Sequence, residues 1–284
     1  GGEVYGRPRD IQEVINYRNV VTLLDELAFK RGGYEPNMLK EIHTLTVEKI
    51  VSPEKIGVFR TSQVVIKDEV TGEVVFSPPP FVEVSYLLDD FFAWLNSSEA
   101  LEIHPIIKAG ITHYILVAIH PFVEGNGRVS RAFATLILIR DGYDIKKFFS
   151  LEERFDSDPA SYYEAFSNVD KQSKNIGARD LTVWLEYFTQ AVASELSQIK
   201  EKVKRLSIDT RLKVKMGEQV SLSERQVRLF EYLSDQGSAG MLDLKKVLPM
   251  VSDDTILRDV RDLLEKGIIK KTGSTKASRY VISK

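Results

Sequence analysis

The 284-residue chain has no cysteine. Disulfides, thiolate metal sites and a cysteine nucleophile are therefore excluded, and a reducing cytoplasm suits such a composition. No apolar run reaches the ~20 residues that cross a bilayer; "AFATLILI" is among the longest. Neither sign of charge dominates, with Lys+Arg 39, Asp+Glu 41 and a net charge of -2. A global basic field that would draw the chain to nucleic acid or an anionic membrane is absent, although a local patch stays open. An initial methionine and a charged-then-apolar signal segment are also missing. The chain opens "GGEVYGRPRD", and we read its natural N-terminus as lying upstream.

What is present resembles an ordinary globular protein, 43% hydrophobic and 28% charged. The length suits a main domain with a smaller second one. Periodicity predicts mostly helix. "DIQEVINYRNVVTLLDELAFKRG" spaces Ile11, Val14, Ile15, Val21, Leu23, Leu24 and Leu27 at helical intervals, with Asp10 as N-cap and Gly32-Gly33 as the stop. "EPNMLKEIHTLTVEKIV" follows as a second helix closed by Ser52-Pro53. Two short β-branched runs, Gln63–Lys67 and Glu73–Phe76, then flank "DEVTGE" and predict a hairpin that Pro78–Pro80 stops. Further helices are expected in "VEVSYLLDDFFAWLN", "IHPIIKAGITHYILVAIH", "GRVSRAFATLILIRDG", "DPASYYEAFSNVDKQ" and "ARDLTVWLEYFTQAVASELSQIKEKVKRL".

Between two apolar helices lies "HPFVEGNGRVSR", residues 120–131. Pro121 disfavours the helical conformation at His120, which places that histidine at a helix mouth. Gly125, Asn126 and Gly127 supply backbone freedom for an anion-binding nest, and the next helix starts there with its amides and positive dipole end. Arg128 and Arg131 stand at i and i+3 with guanidinium forks suited to phosphate. Glu124 beside an anion site makes sense with a divalent ion between them, usually Mg²⁺. His120 can accept a proton near neutral pH. Together these parts describe transfer of a phosphate-containing group to a hydroxyl. Singly, each has a structural alternative: Gly and Asn for capping, the arginines paired with Glu124, and His120 as a helix C-cap. A metal site on His113 and His120 would need further ligands, and none stands at suitable spacing.

The same stretch resembles, at every specified position, the signature of Fic-domain proteins, His-Pro-Phe-x-(Asp/Glu)-Gly-Asn-Gly-Arg-x-x-Arg. "EVINYRNV" looks like that family's early helix, "GVFRTSQVVI" like its flap, "SPPPFVEV" like the segment after it, and "YYEAF" like a stretch near the nucleotide base. The resemblance implies a mainly α Fic-type helical bundle with a β-hairpin flap near residues 57–76. It implies transfer of AMP from ATP to a Ser, Thr or Tyr hydroxyl of a target protein, with release of pyrophosphate. His120 would be the base, and Glu124 would hold Mg²⁺. Gly125, Asn126 and Gly127 would form the nest, while Arg128 and Arg131 would meet the β- and γ-phosphates. Phe122 would anchor the loop, and Tyr162 and Tyr163 would line the adenine pocket or belong to the core. Gly127 stands where a phosphorylating branch of the family carries lysine, which fits nucleotide transfer. The flap residues Ser62, Gln63, Val64, Val65 and Ile66 would offer a strand edge to an extended target segment.

Many relatives carry a self-inhibiting (Ser/Thr)-x-x-x-Glu-(Gly/Asn) pattern. Here the one Glu followed by Gly or Asn is Glu124, preceded four positions earlier by His120, so the pattern is absent from these residues. By analogy it would precede Gly1, and the chain as it stands is expected to modify itself.

Beyond about residue 215, three helical stretches and two strands follow in the order of a winged helix-turn-helix. We expect a Fic domain over 1–205, a linker over 206–220 and the winged module over 221–284. Ser223 and Ser252 are candidate N-caps, and "TILRDVRDLLEKG" would be the recognition helix. Lys270, Lys271, Lys276 and Arg279 make the wing basic, whereas Asp253, Asp254, Asp259, Asp262 and Glu265 oppose phosphate approach. DNA binding and a protein-docking or homodimer-forming use both stay open. A DNA-binding regulator whose Fic domain senses nucleotide is accordingly the alternative to an enzyme.

Overall fold

Proline marks the starts of the main helices, because its fixed φ suits the first turn and its missing N–H would find no partner there. In the computed structural model, which describes residues 7–67, 71–143, 151–216, 222–273 and 278–283, Pro8, Pro36, Pro105 and Pro159 each begin a helix. Helix α1 spans Pro8–Phe29, so Asp10 falls inside its first turn, paired with Arg7 at 3.0 Å, and is not the cap. Its buried face carries Asn16, Val20, Leu24 and Leu27, while Val14 and Ile15 are exposed. Asn16 can be buried because its amide donates to Thr46 O and Glu48 O. Those carbonyls lie at and just after the end of α2, Pro36–Thr46, which stops before the expected Val51; the chain turns at Lys49 with φ 58°.

The hairpin is shorter than its sequence signal. Strand β1 covers Ile66–Lys67 and β2 covers Val74–Phe76, antiparallel, with Ile66 opposite Phe76 and Lys67 opposite Val74. Gln63, Val64 and Val65 lie outside the ladder. Continuing it would set them against Pro78 and Pro79, which have no N–H to give. The proline carbonyls are used by side chains instead, with Gln63 Nε2 donating to Pro78 O at 3.0 Å. Residues 68–70 of the expected turn lie outside the described residues.

Helices α3 (Val84–Leu95), α4 (Ser98–Glu102), α5 (Pro105–Ile119), α6 (Asn126–Arg140), α7 (Leu151–Ser157), α8 (Pro159–Asp170) and α9 (Thr182–Met216) complete the first part of the chain. The α5–α6 pair is central, and its core includes Tyr114, Leu116, Phe133 and Leu136, each about fully buried. Gly110 lets α9 close on α5: a Cβ there would sit 2.9 Å from Leu185 Cδ2, and Trp184 Nε1 donates to Gly110 O at 2.8 Å. Burying large aromatic side chains of this kind contributes about 2–3 kcal/mol each.

The chain divides into two compact units, Gly1–Ser197 and Gln198–Lys284. Helix α9 continues through 206–216, where the sequence suggested a linker. In the second unit α10 (Glu224–Gln236), β3 (Ala239–Gly240), α11 (Met241–Val247), α12 (Asp253–Glu265), β4 (Ile269–Thr272) and β5 (Arg279–Ile282) follow in order. The sheet runs β3-β5-β4, all antiparallel. Leu229, Leu233, Ile256, Val260, Leu263 and Ile269 form its core. Ser223 and Ser252 cap α10 and α12 as expected, and Gly267 follows α12 with φ 66°. Lys276 of the expected wing lies outside the described residues. Among the described residues no helix is long and apolar enough to cross a membrane.

Candidate active site at the mouth of α5 and α6

Helix α5 ends at Ile119, and His120 follows as its C-cap in the left-handed region, φ 54° and ψ 60°. The ring turns back on its own helix, with Nδ1 3.3 Å from Val117 O. A nitrogen facing a carbonyl carries the proton, so the neutral ring keeps its lone pair on Nε2. Burial lowers the His120 pKa to about 4, against the Val117 contact that raises it, and the charge of Arg60 lowers it further. The ring is therefore neutral at pH 7.

Phe122 and Asn126 then close the loop. The Asn126 side chain accepts from Phe122 N and donates to Phe122 O, both at 2.8 Å. Asn126 is 3% exposed, so its carboxamide staples the loop, and the loop's free donors are backbone amides. Phe122 is buried as the expected anchor, stacked on His43 of α2. His43 accepts from Gly57 N at Nδ1 (2.9 Å), which leaves its Nε2–H to donate to Glu124 O (3.1 Å). Gly125 must be glycine on two counts. Its φ is 83°, and a Cβ would meet Val47 Cγ1 at 2.8 Å.

Helix α6 starts at Asn126, and its first-turn amides, which include Gly127 and Arg128, have no acceptor within the helix. Arg128 and Glu124 face each other there, Nη2 to Oε1 at 3.8 Å. Helix α1 reaches the same place. Arg9 pairs with Glu124 and with Glu13, and Arg128 Nη1 lies 3.3 Å from Glu13 Oε1 without hydrogen-bond alignment. The Arg131 guanidinium folds over Gly127, with Nη1 3.3 Å from where a Cβ would stand. A side chain at 127 would press on it. Among the described residues no three metal-ligating side chains cluster. A single carboxylate still suits Mg²⁺, which keeps waters and takes phosphate oxygens for most of its ligands.

The remaining predicted residues separate. Phe76 of β2 packs against the His120 ring, centroids 5.8 Å apart, which brings the hairpin over that ring. Ser62, Gln63, Val65 and Ile66 are exposed and Val64 is half-buried. Tyr162 belongs to the core, 7% exposed, its hydroxyl 3.1 Å from His113 Nε2 and its ring among Phe155 and Trp184. Tyr163 is 66% exposed. His113 is buried, with its pKa lowered by burial first and by the charge of Arg131 second. Arg9 and His43 lay outside the stretches that resemble the family, and Glu13 in "EVINYRNV" and Arg60 in "GVFRTSQVVI" lay inside them without an assigned role. For His43 and Arg60 the one available signal was a polar residue amid the apolar "EIHTL" and "GVFRT" runs.

Residues 34–138 match the model of the Fic/DOC family. This stretch is a Fic domain. It holds the whole 120–131 loop, the flap and α2, while α1 with Arg9 and Glu13 precedes it. The protein adenylyltransferase Fic of Aedes aegypti is 37% identical over 130 residues, 46% of this chain and 22% of that protein. Its namesake in Drosophila virilis is 41% identical over 93 residues, 33% of this chain and 18% of that protein. The chain thus spans less than a quarter of the length of these curated relatives. Among solved structures, a Fic family protein from Desulfovibrio desulfuricans shares the fold over 99% of this chain and 78% of its own, with TM-score 0.61 and 22% identity. Fic-1 (aa134–508) from C. elegans aligns over 72% of this chain and 56% of its own, with TM-score 0.54 and 25% identity. The expected mainly α, Fic-type fold is borne out.

Proposed function

We propose that this chain transfers AMP from ATP to a Ser, Thr or Tyr hydroxyl of a target protein, with Mg²⁺ as cofactor. The observation that supports this best is the His120 ring, neutral, with Nδ1 on Val117 O and Nε2 unengaged by it, beside a helix start with Arg128 and Arg131 on its first turn. In the step, the target oxygen bonds to the α-phosphorus of ATP as the bond from that phosphorus to the β-bridging oxygen breaks. The hydroxyl proton goes to His120 Nε2, and pyrophosphate leaves. Arg128, Arg131 and the first amides of α6 hold the phosphates. Glu124 would hold Mg²⁺, which when bound screens the charge between the α- and β-phosphates. Anionic phosphates near His120 raise its low pKa and make it a better base. The relatives named protein adenylyltransferase Fic agree with this chemistry.

The largely exposed Gln63–Ile66 stretch fits an extended target segment, and the chain itself is one acceptor, so self-modification is expected. The test is incubation with α-labelled ATP and Mg²⁺. His120→Ala should lose label transfer to protein while retaining nucleotide affinity, and unchanged transfer would remove His120 as the base.

We read the second unit as a winged helix-turn-helix with α12 as the recognition helix. Arg225 holds Asp259 at 2.6 and 3.2 Å, and Gln226 and Lys266 hold Asp262, which offsets two acids that would repel phosphate. Steeply salt-dependent binding to duplex DNA would support a DNA contact, and salt-independent self-association would favour docking or a homodimer.

A further inference from the structure

Arg60 is 3% exposed, yet the bonds of its guanidinium run to carbonyl oxygens. Nε donates to His120 O at 2.8 Å. Nη2 donates to Pro79 O at 2.5 Å and to Ile119 O at 3.4 Å, and Nη1 donates to Ser62 O at 3.4 Å. Its own amide donates to Pro121 O at 2.8 Å. Burial lowers the guanidinium pKa, because the cation gives up water there. An apolar side chain would fill the same space without that desolvation cost. What the cation adds is geometry. Its acceptors fall into two groups, the turn that carries His120 and the two stems of the flap at Ser62 and Pro79. It also sits at the C-terminus of α5, where unpaired carbonyls and the dipole favour positive charge.

We propose that Arg60 is a positioning residue that fixes the flap at a set distance and angle from the His120 ring, so that a hydroxyl delivered along the flap arrives at Nε2. The proposal rests on the AMP-transfer reading for its purpose, but the geometry it describes can be measured without activity. The groups facing the His120 ring are Val117 O, Phe76 of the flap and the charge of Arg60. Loosening Arg60 therefore changes both the ring's surroundings and the flap's grip on it. Lysine carries one nitrogen and cannot span carbonyls that a planar fork reaches together.

The test uses Arg60→Lys and Arg60→Met in the full chain, with α-labelled ATP and Mg²⁺. Transfer of label to protein should fall about 10- to 100-fold, as expected for misplacement near 1 Å, while affinity for a non-hydrolysable ATP analogue changes less than about twofold on that scale. In parallel, ¹⁵N NMR of the four histidine rings should show His120 losing its single Nδ1–H form and titrating higher, with His113 unmoved. Where Arg60→Met fails to fold, Arg60→Lys decides. If wild type transfers no AMP but the His120 signals shift in Arg60→Lys, the activity reading fails and the positioning role stands. Unshifted His120 signals, or parallel loss of analogue binding and transfer, overturn the positioning role.

Discussion

The rings of His43 and Phe122 stack 3.8 Å apart and 5° from parallel. One face of His43 thus supports the loop's apolar anchor, while its two nitrogens tie Gly57 to the carbonyl of Glu124. The 120–131 loop is held from behind by a single imidazole. His43→Ala removes a buried ring and strands the Gly57 N–H. We expect a loss of about 2–4 kcal/mol in urea denaturation. A change below about 0.5 kcal/mol, the size of an ordinary surface substitution, would show that the loop closes without it.

Acid should destabilise the protein through its histidines. Burial lowers His43 and His120 from 6.5 to about 4 in the folded chain. The unfolded chain then takes up protons at a pH where the native rings refuse them. Their contribution is complete above about 6.5 and is lost as pH falls towards about 4. Melting temperature measured across this range should drop on the acid side, and His43→Gln should flatten that slope. An unaltered slope in the variant would assign the acid sensitivity elsewhere.

Arg9 and Glu13 occupy the groups that a Mg²⁺–ATP complex would use. Arg9 pairs with Glu124, and Glu13 lies beside Arg128. Arg9 is well exposed, with 58% of its side chain accessible, so the pair adds little to stability. Arg9→Ala should leave the denaturation midpoint nearly unchanged. Affinity for Mg²⁺–ATP should tighten up to about fivefold, the equivalent of the ~1 kcal/mol that an exposed pair is worth. Calorimetric titration measures this directly, and weaker binding in the variant would mean that Arg9 itself contributes to holding phosphate.

Val65 lies outside the hairpin ladder, next to Ile66, which is inside it. Val65→Pro removes one N–H without breaking the pair that joins β1 to β2. If a target segment pairs along this edge, label transfer to protein should fall several-fold while ATP affinity is retained. Equal loss of both would show that the substitution disturbed the site as a whole.

The helices and the 120–131 loop were legible in the sequence because their signals are local. Proline before a helix, serine before an acid-rich first turn and glycine at a positive φ act over three or four residues. Pro121 after His120 ended α5 at its expected place, and the Gly125–Gly127 run opened α6. The same locality misled where a local signal met a distant partner. Val14 and Ile15 fit an apolar stripe, but α1 buries Asn16, because the carbonyls that satisfy it belong to the end of α2. Within the loop, by contrast, the Asn126 carboxamide finds its partner four residues away, on the backbone of Phe122. Tyr162 was open between pocket and core, and packing against His113 and Trp184 placed it in the core.

By itself, then, the chain's sequence determined the chemistry concentrated at residues 120–131. A histidine at a helix mouth, an acid, two glycines and two arginines one turn apart follow from neighbours in the chain. Tertiary structure alone decided which residues hold that constellation and which occupy it. Arg60 is 60 residues from His120, His43 is 81 from Glu124, and Arg9 is 115 from Glu124. Contacts at such separations have no periodicity to announce them. They exist because α1, α2 and the flap hairpin pack beside the α5–α6 pair, where buried carbonyls and a buried loop must each find a donor.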